Sequence, residues 1–192
     1  HAVDRGLVGE GETVAVIGAG MIGLGAIAGA ALEKRARVIA IDIDERKLEV
    51  ARLAGAQACV NAATEPLAER LAELTGGFGP DVMIEAVGKP ETFRACVDAV
   101  GYAGRVVYIG YAREPVSYET KLFLLKELDI FGSRGATRKD FDAVIAMLRA
   151  GRYPVAETIT REVPFAEGPA AMEAWHEDPA AFTKIHIVLP GA

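Results

Sequence analysis

The chain has 192 residues, roughly 1.3 domains at about 150 residues each, so one full core fits with a remainder. Hydrophobic residues make up 51% and charged residues 25%, which excludes a disordered chain. Acids outnumber bases 27 to 21, for a net charge of −6, and no basic block occurs. Neither a nucleic-acid footprint nor attraction to an anionic membrane surface fits that balance.

The first long feature is Thr13–Leu32, 20 residues without a charge. It is long enough to span a bilayer. Three features argue for a buried strand running into a buried helix instead. It opens with β-branched Val14, Val16 and Ile17, its glycines and alanines make it weakly apolar for its length, and it lacks basic flanks and an aromatic belt. No basic start precedes it, so a signal peptide is not expected either.

Short β-branched runs then recur, starting near Val14, Val38, Ala58, Val82, Arg105 and Leu128. Helical patterns fill the gaps. The first spans about Met21 to Lys34. Asp44 is the expected cap of Glu45–Ala54, with Gly55 at the stop. Thr64 is the expected cap of a helix with Pro66 in its first turn, ending near Leu74. Two more helices are expected over Pro90–Val100 and Lys139–Ala150. Alternation at this spacing predicts parallel βαβ units with right-handed crossovers. The runs at Val38–Ile41 and Val106–Ile109 are apolar on both faces, as strands covered by helices must be. The predicted fold is α/β: a doubly wound parallel sheet, the Rossmann fold, of order 3-2-1-4-5-6. A short β-α-β tail follows, with strands at Thr158–Val163 and Thr183–Leu189 and a helix at Glu167–Glu177. The domain boundary is expected between 132 and 133. The tail is too short for a second core and is expected to pack on another domain.

Gly18-Ala19-Gly20-Met21-Ile22-Gly23 follows a strand and opens a helix, the context in which G-x-G-x-x-G carries meaning. Gly18 allows the tight turn, Gly20 lets backbone approach a pyrophosphate, and Gly23 lets helix and sheet pack closely. The helix N-terminus offers free N–H groups to that phosphate. Asp42 ends the second strand, 19 residues after Gly23, near the place of the acid that binds the adenosine ribose. Its charge favours NAD(H) over NADP(H). A structural alternative is that Asp42 only caps the following turn. Lys47 lies one turn on, where its cation could reach adenosine or phosphate, or simply be solvated. A P-loop is excluded by the lack of G-K-[ST]. A methyltransferase that binds S-adenosylmethionine is a rival with a similar loop and acid.

Five motifs together resemble the medium-chain dehydrogenase/reductase superfamily, the zinc-type alcohol and polyol dehydrogenases. They are Val14-Ala-Val-Ile-Gly-Ala-Gly-Met-Ile-Gly-Leu24, Ile39-Ala-Ile-Asp42, Ile84-Glu-Ala-Val-Gly88, Gly104-Arg-Val-Val-Tyr-Ile-Gly110 and Lys126-Glu-Leu-Asp-Ile-Phe-Gly-Ser-Arg134. The last of these, with Gly110-Tyr-Ala-Arg-Glu-Pro115, looks most like the sorbitol, threonine and sugar-acid branch. The resemblance implies site roles. Ile22, beside Met21, would press on the nicotinamide. Val87 and Gly88 would line the cleft. Ile109, Gly110 and Tyr111 would meet the nicotinamide and its carboxamide. Ser133 and Arg134 would lie by the nicotinamide or the substrate, and Lys184 would contact the pyrophosphate. The polyol branch carries one more residue between its glycine and arginine than Gly132-Ser133-Arg134 does.

Such enzymes have an N-terminal β-rich domain that holds the catalytic zinc, and none of its ligands is present. The resemblance places His1 just after the last zinc ligand, so zinc is expected only in that domain. His176 and His186 have no metal partners at suitable spacing. Cys59 and Cys96 read as core residues and not as a disulfide framework. A reduced, cytoplasmic chain is therefore expected. No catalytic residue is assigned within this chain. The expected function is the NAD(H)-binding portion of an enzyme that moves hydride between an alcohol or polyol and nicotinamide. A non-enzymatic NAD-binding redox sensor and a zinc-free NADPH reductase are the alternatives. By resemblance a homodimer or homotetramer is expected, formed through the sheet edge near Leu128–Gly132.

Overall fold

The computed structural model describes residues 1–191; the last residue of the expected tail, Ala192, lies outside the described residues. The chain divides into two compact units, His1–Tyr153 and Pro154–Ala192. The first holds α1 (Ala2–Arg5), β1 (Thr13–Ile17), α2 (Met21–Ala28), β2 (Arg37–Asp42), α3 (Glu45–Leu53), β3 (Ala58–Asn61), α4 (Leu67–Leu74), β4 (Val82–Glu85), α5 (Pro90–Ala99), β5 (Arg105–Tyr108), α6 (Lys121–Leu125), β6 (Asp129–Gly132) and α7 (Arg138–Arg149). Its six strands are all parallel, in the order β3-β2-β1-β4-β5-β6. This is the doubly wound sheet that the sequence rhythm predicts.

The period-2 alternation explains why the strands read as continuously apolar. Val14, Val16, Val38, Ala40, Val82, Ile84 and Val107 point to one core with α1, α2, α3 and α7. Ala15, Ile17, Ile39, Ile41, Met83 and Val106 point to the other, with α4 and α5. Both faces of β1, β2 and β4 are dry, which leaves their ends as the only places to bind anything.

Several local expectations shift. α2 stops at Ala28 and passes through a π-helical turn, Gly29–Glu33. Asp44 caps α3 as expected, accepting from the Arg46 amide at 2.9 Å. Thr64 caps nothing: its hydroxyl donates to the Asn61 carbonyl at 3.4 Å, and Pro66 itself stands at the cap of α4. α6 lacks a clear period and was not expected. The boundary falls after Tyr153 and not after Gly132, because α7 belongs to the first core. Met147 is buried there, and Arg152 pairs with Glu33 at 2.7 Å.

The second unit holds α8 (Val155–Thr158), β7 (Arg161–Pro164), α9 (Gly168–Glu177) and β8 (Ile185–Val188). β7 and β8 pair in parallel, so the tail is β-α-β. β7 starts later than Thr158 because Thr158 ends a helical turn, its hydroxyl bonded to the Pro154 carbonyl at 2.7 Å.

Candidate cofactor cleft

The strand order reverses between β1 and β4. In open α/β sheets the binding crevice lies at the carboxyl ends of the strands, where the order reverses. Three turns meet there, after β1, β4 and β5. Gly18 leaves β1 with φ +97°, a conformation that L side chains resist, and its amide donates to the Ile41 carbonyl at 2.7 Å. A Cβ on Gly18 would strike Val87 Cγ2 at 2.7 Å, and one on Gly23 would overlap the Gly18 carbonyl oxygen. These two glycines are demanded by packing. Gly20 differs: φ is −72° and a Cβ there meets nothing within 4 Å. Its lack of a side chain serves no contact inside the chain and leaves open space at the N-terminus of α2. The residues therefore fit a phosphate cradle, with backbone N–H groups and the helix dipole facing an anion.

Asp42 ends β2 beside this loop. Its Oδ2 accepts from the Ala19 amide at 2.7 Å, and its Oδ1 accepts from the Ile43 and Asp44 amides at 2.8 and 3.0 Å. An ionised carboxylate offers about four lone-pair sites, so one on Oδ2 remains for a ribose hydroxyl. Asp42 thus fixes the turn and keeps one acceptor position free.

A groove of about 660 Å³ brings Met21, Ile22, Ile109, Ser133 and Arg134 together, a volume in the range of small-molecule sites. Ile22, Val87 and Tyr111 are exposed apolar side chains around the strand ends, where a flat aromatic ring would cover them. Gly88 and Tyr111 are in close approach, since a Cβ on Gly88 would sit 2.9 Å from the Tyr111 amide nitrogen. Lys47 is half-buried one turn into α3. Lys184 lies in the second unit, just before β8.

Beyond the expected residues, Glu85 is completely buried at the end of β4. Its Oε1 accepts from the Val87 and Gly88 amides at 2.9 and 2.8 Å and from the Thr92 hydroxyl at 2.6 Å. An acidic residue directly after the apolar run Val82–Ile84, and before Ala86-Val87, was the available signal. Tyr118 donates to the Tyr108 hydroxyl at 3.1 Å and so ties the segment after β5 to the sheet. Burial and the Tyr118 hydroxyl push the Tyr108 phenol well above its usual range. Burial likewise raises the Cys59 and Cys96 thiols, so both pack as neutral groups and neither is a ready nucleophile.

Among the described residues no group of three or more His, Cys, Asp or Glu could hold a metal ion. These residues do not fit a zinc site. No helix among them is long and apolar enough to cross a membrane.

The chain as a whole matches known proteins. A family model described as zinc-binding dehydrogenase matches residues 22–150. An uncharacterized zinc-type alcohol dehydrogenase-like protein of Haemophilus influenzae is 32% identical over 188 residues, covering 98% of this chain and 54% of its own. The erythritol/L-threitol dehydrogenase of Mycolicibacterium smegmatis is 34% identical over 168 residues, covering 87% and 46%. A crystal structure from Escherichia coli CFT073, described as a short chain alcohol dehydrogenase in complex with NADH, superposes with a TM-score of 0.86. It is 30% identical and covers 96% of this chain and 54% of its own. The chain belongs to the zinc-binding dehydrogenase family, and corresponds to its coenzyme-binding half. It spans about half the length of these relatives.

Proposed function

We propose that this chain binds NAD(H) and forms the coenzyme side of an oxidoreductase that moves hydride between a secondary alcohol and nicotinamide. The substrate class is an alcohol, polyol or sugar acid. The observation that carries the proposal is the glycine loop: Gly18 and Gly23 are fixed by packing, whereas Gly20 is open toward the end of α2. The pyrophosphate would lie on the amides at the start of α2, with Asp42 on the adenosine ribose and Lys47 along the adenosine. Met21, Ile22, Val87, Gly88, Ile109, Gly110 and Tyr111 would surround the nicotinamide. Ser133 and Arg134 would face the nicotinamide or the substrate. Bound nicotinamide supplies the hydride chemistry; these residues bind, orient and exclude water. The alcohol-polarising zinc belongs to a part of the enzyme outside these residues.

The free thiols of Cys59 and Cys96 suit a reducing, cytoplasmic setting. β6 is a sheet edge that pairs with β5 alone among the described residues, and Ile130 on it is exposed. We place a homodimer contact there, testable by sedimentation velocity with Ile130→Lys.

The main test is titration with NADH and NADPH, followed by nicotinamide fluorescence. NADH is expected to saturate at sub-millimolar concentration and to bind at least about ten-fold tighter than NADPH, because Asp42 repels a 2′-phosphate. No binding of either by folded protein contradicts the proposal. Preference for NADPH favours the zinc-free reductase.

A further inference from the structure

Glu85 is an expensive residue to place where it is. A buried carboxylate costs free energy unless its oxygens are hydrogen-bonded. Oε1 carries three donors, but Oε2 is buried with no partner among the described residues. No ion pair compensates for it among those residues either. An apolar side chain of the same volume would serve the core better. Such a locally costly residue persists where surrounding structure and function require it.

What Glu85 touches indicates the requirement. Through Oε1 it gathers the turn after β4, holding the Val87 and Gly88 amides and the Thr92 hydroxyl at the start of α5. Thr92 Oγ1 has one proton, and the carboxylate at 2.6 Å competes for it with the Lys89 carbonyl at 2.8 Å. The contact to Oε1 is the shorter of the two. Through its backbone carbonyl Glu85 also gathers the turn after β5, accepting from the Ile109 and Gly110 amides at 2.9 and 3.1 Å. Oε2 lies against Gly110, where a Cβ would overlap it. One residue therefore holds both turns that the proposed function assigns to the nicotinamide, and among the described residues its carboxylate hydrogen bonds go to Val87, Gly88 and Thr92 and none to the glycine loop or Asp42.

We propose that Glu85 is the positioning residue of the nicotinamide half of the cleft, locking the β4 and β5 turns into one register. The proposal rests on the NAD(H) reading above. It implies a selectivity that a merely structural residue would not show: loss of the Glu85 carboxylate weakens the nicotinamide end and spares the adenine end.

The experiment compares NADH and ADP binding to the whole chain and to Glu85→Gln, with folding followed by circular dichroism. The glutamine keeps the shape. It either puts donors against the Val87 and Gly88 amides or retains only a neutral acceptor for them. NADH affinity is expected to fall about five-fold or more, while ADP affinity stays within about two-fold. Thr92→Val removes one donor to Oε1 at a partly exposed position, so it tests the same claim if the glutamine variant fails to fold. It should weaken NADH selectively by about two-fold. Equal loss of NADH and ADP, or no loss of NADH, overturns the role of Glu85. Failure of the unaltered chain to bind NADH overturns the NAD(H) reading itself, and the role of Glu85 with it.

Discussion

The two compact units are built from the same parts in different proportions. In the first, the inner strands β1, β2 and β4 of the six-stranded parallel sheet bury both faces, and Leu24, Ile27, Ile39, Ile41, Met83 and Ile84 are completely or almost completely buried. In the second, the hydrophobic cluster among the described residues is Val163, Ala171 and Ile185, with Trp175 and Phe182 packed against them. Its outer positions leave Phe165, Met172, Ile187, Val188 and Leu189 exposed. A strand pair stabilises itself only when enough apolar surface leaves water. The first unit meets that condition and the second does not, so the parts alone do not make a domain.

The strongest way to break this contrast is to separate the units. A chain ending at Tyr153 is expected to melt cooperatively, whereas a peptide of residues 154–192 is expected to give a coil spectrum by circular dichroism. Point substitutions sharpen it. Ile84→Ala empties a position in the middle of the first core and should cost about 2–5 kcal/mol in chemical denaturation. Ile187→Ala, on the exposed strand of the second unit, should change stability by no more than about 0.5 kcal/mol. Asp44→Ala removes the helix cap at the start of α3 and should cost about 1 kcal/mol.

Acid gives the smallest effect, through three carboxyls of the first unit. The Asp4 carboxyl lies below its ordinary value of 3.8 because Lys34 hydrogen-bonds it, against the opposing effect of burial. The Asp140 carboxyl is lowered by the Thr137 hydroxyl and amide. For Asp44, burial pushes the carboxyl up, but Arg46 more than offsets it. Carboxyls with lowered folded values stabilise the protein fully well above pH 3.8, and that stabilisation is lost as pH falls below 3.8. The melting temperature should therefore be flat from pH 7 to 5 and fall steeply below 4. Asp4→Asn should reduce that fall.

Much of the fold was legible because β1, β2 and β4 are apolar on both faces, a pattern that only strands covered on two sides produce. The glycine loop was legible because its spacing and its strand-helix context coincide. Asp44 was legible as a cap because a helical pattern follows it directly. Thr64 misled because Asn61 and Pro66 form a turn that uses the threonine locally. The boundary misled because α7 looks like the start of the tail, whereas Met147 joins a core laid down more than 100 residues earlier. Glu85 lies within the Ile84–Gly88 motif, but its contacts to Thr92, Ile109 and Gly110 join it to residues that are distant in sequence or ordinary in type.

Gly20 gives the most direct test of the central claim, that the first unit is a cofactor site. Because a Cβ at Gly20 meets nothing in the chain, Gly20→Val should fold normally. Its melting temperature should fall by only a few degrees, for a cap change of about 0.5–1 kcal/mol. The new side chain fills the space the pyrophosphate would occupy. Titrated with NADH, the unaltered chain should saturate and Gly20→Val should show at least a 100-fold loss, about 2.7 kcal/mol. Equal NADH binding by the two proteins would contradict the account.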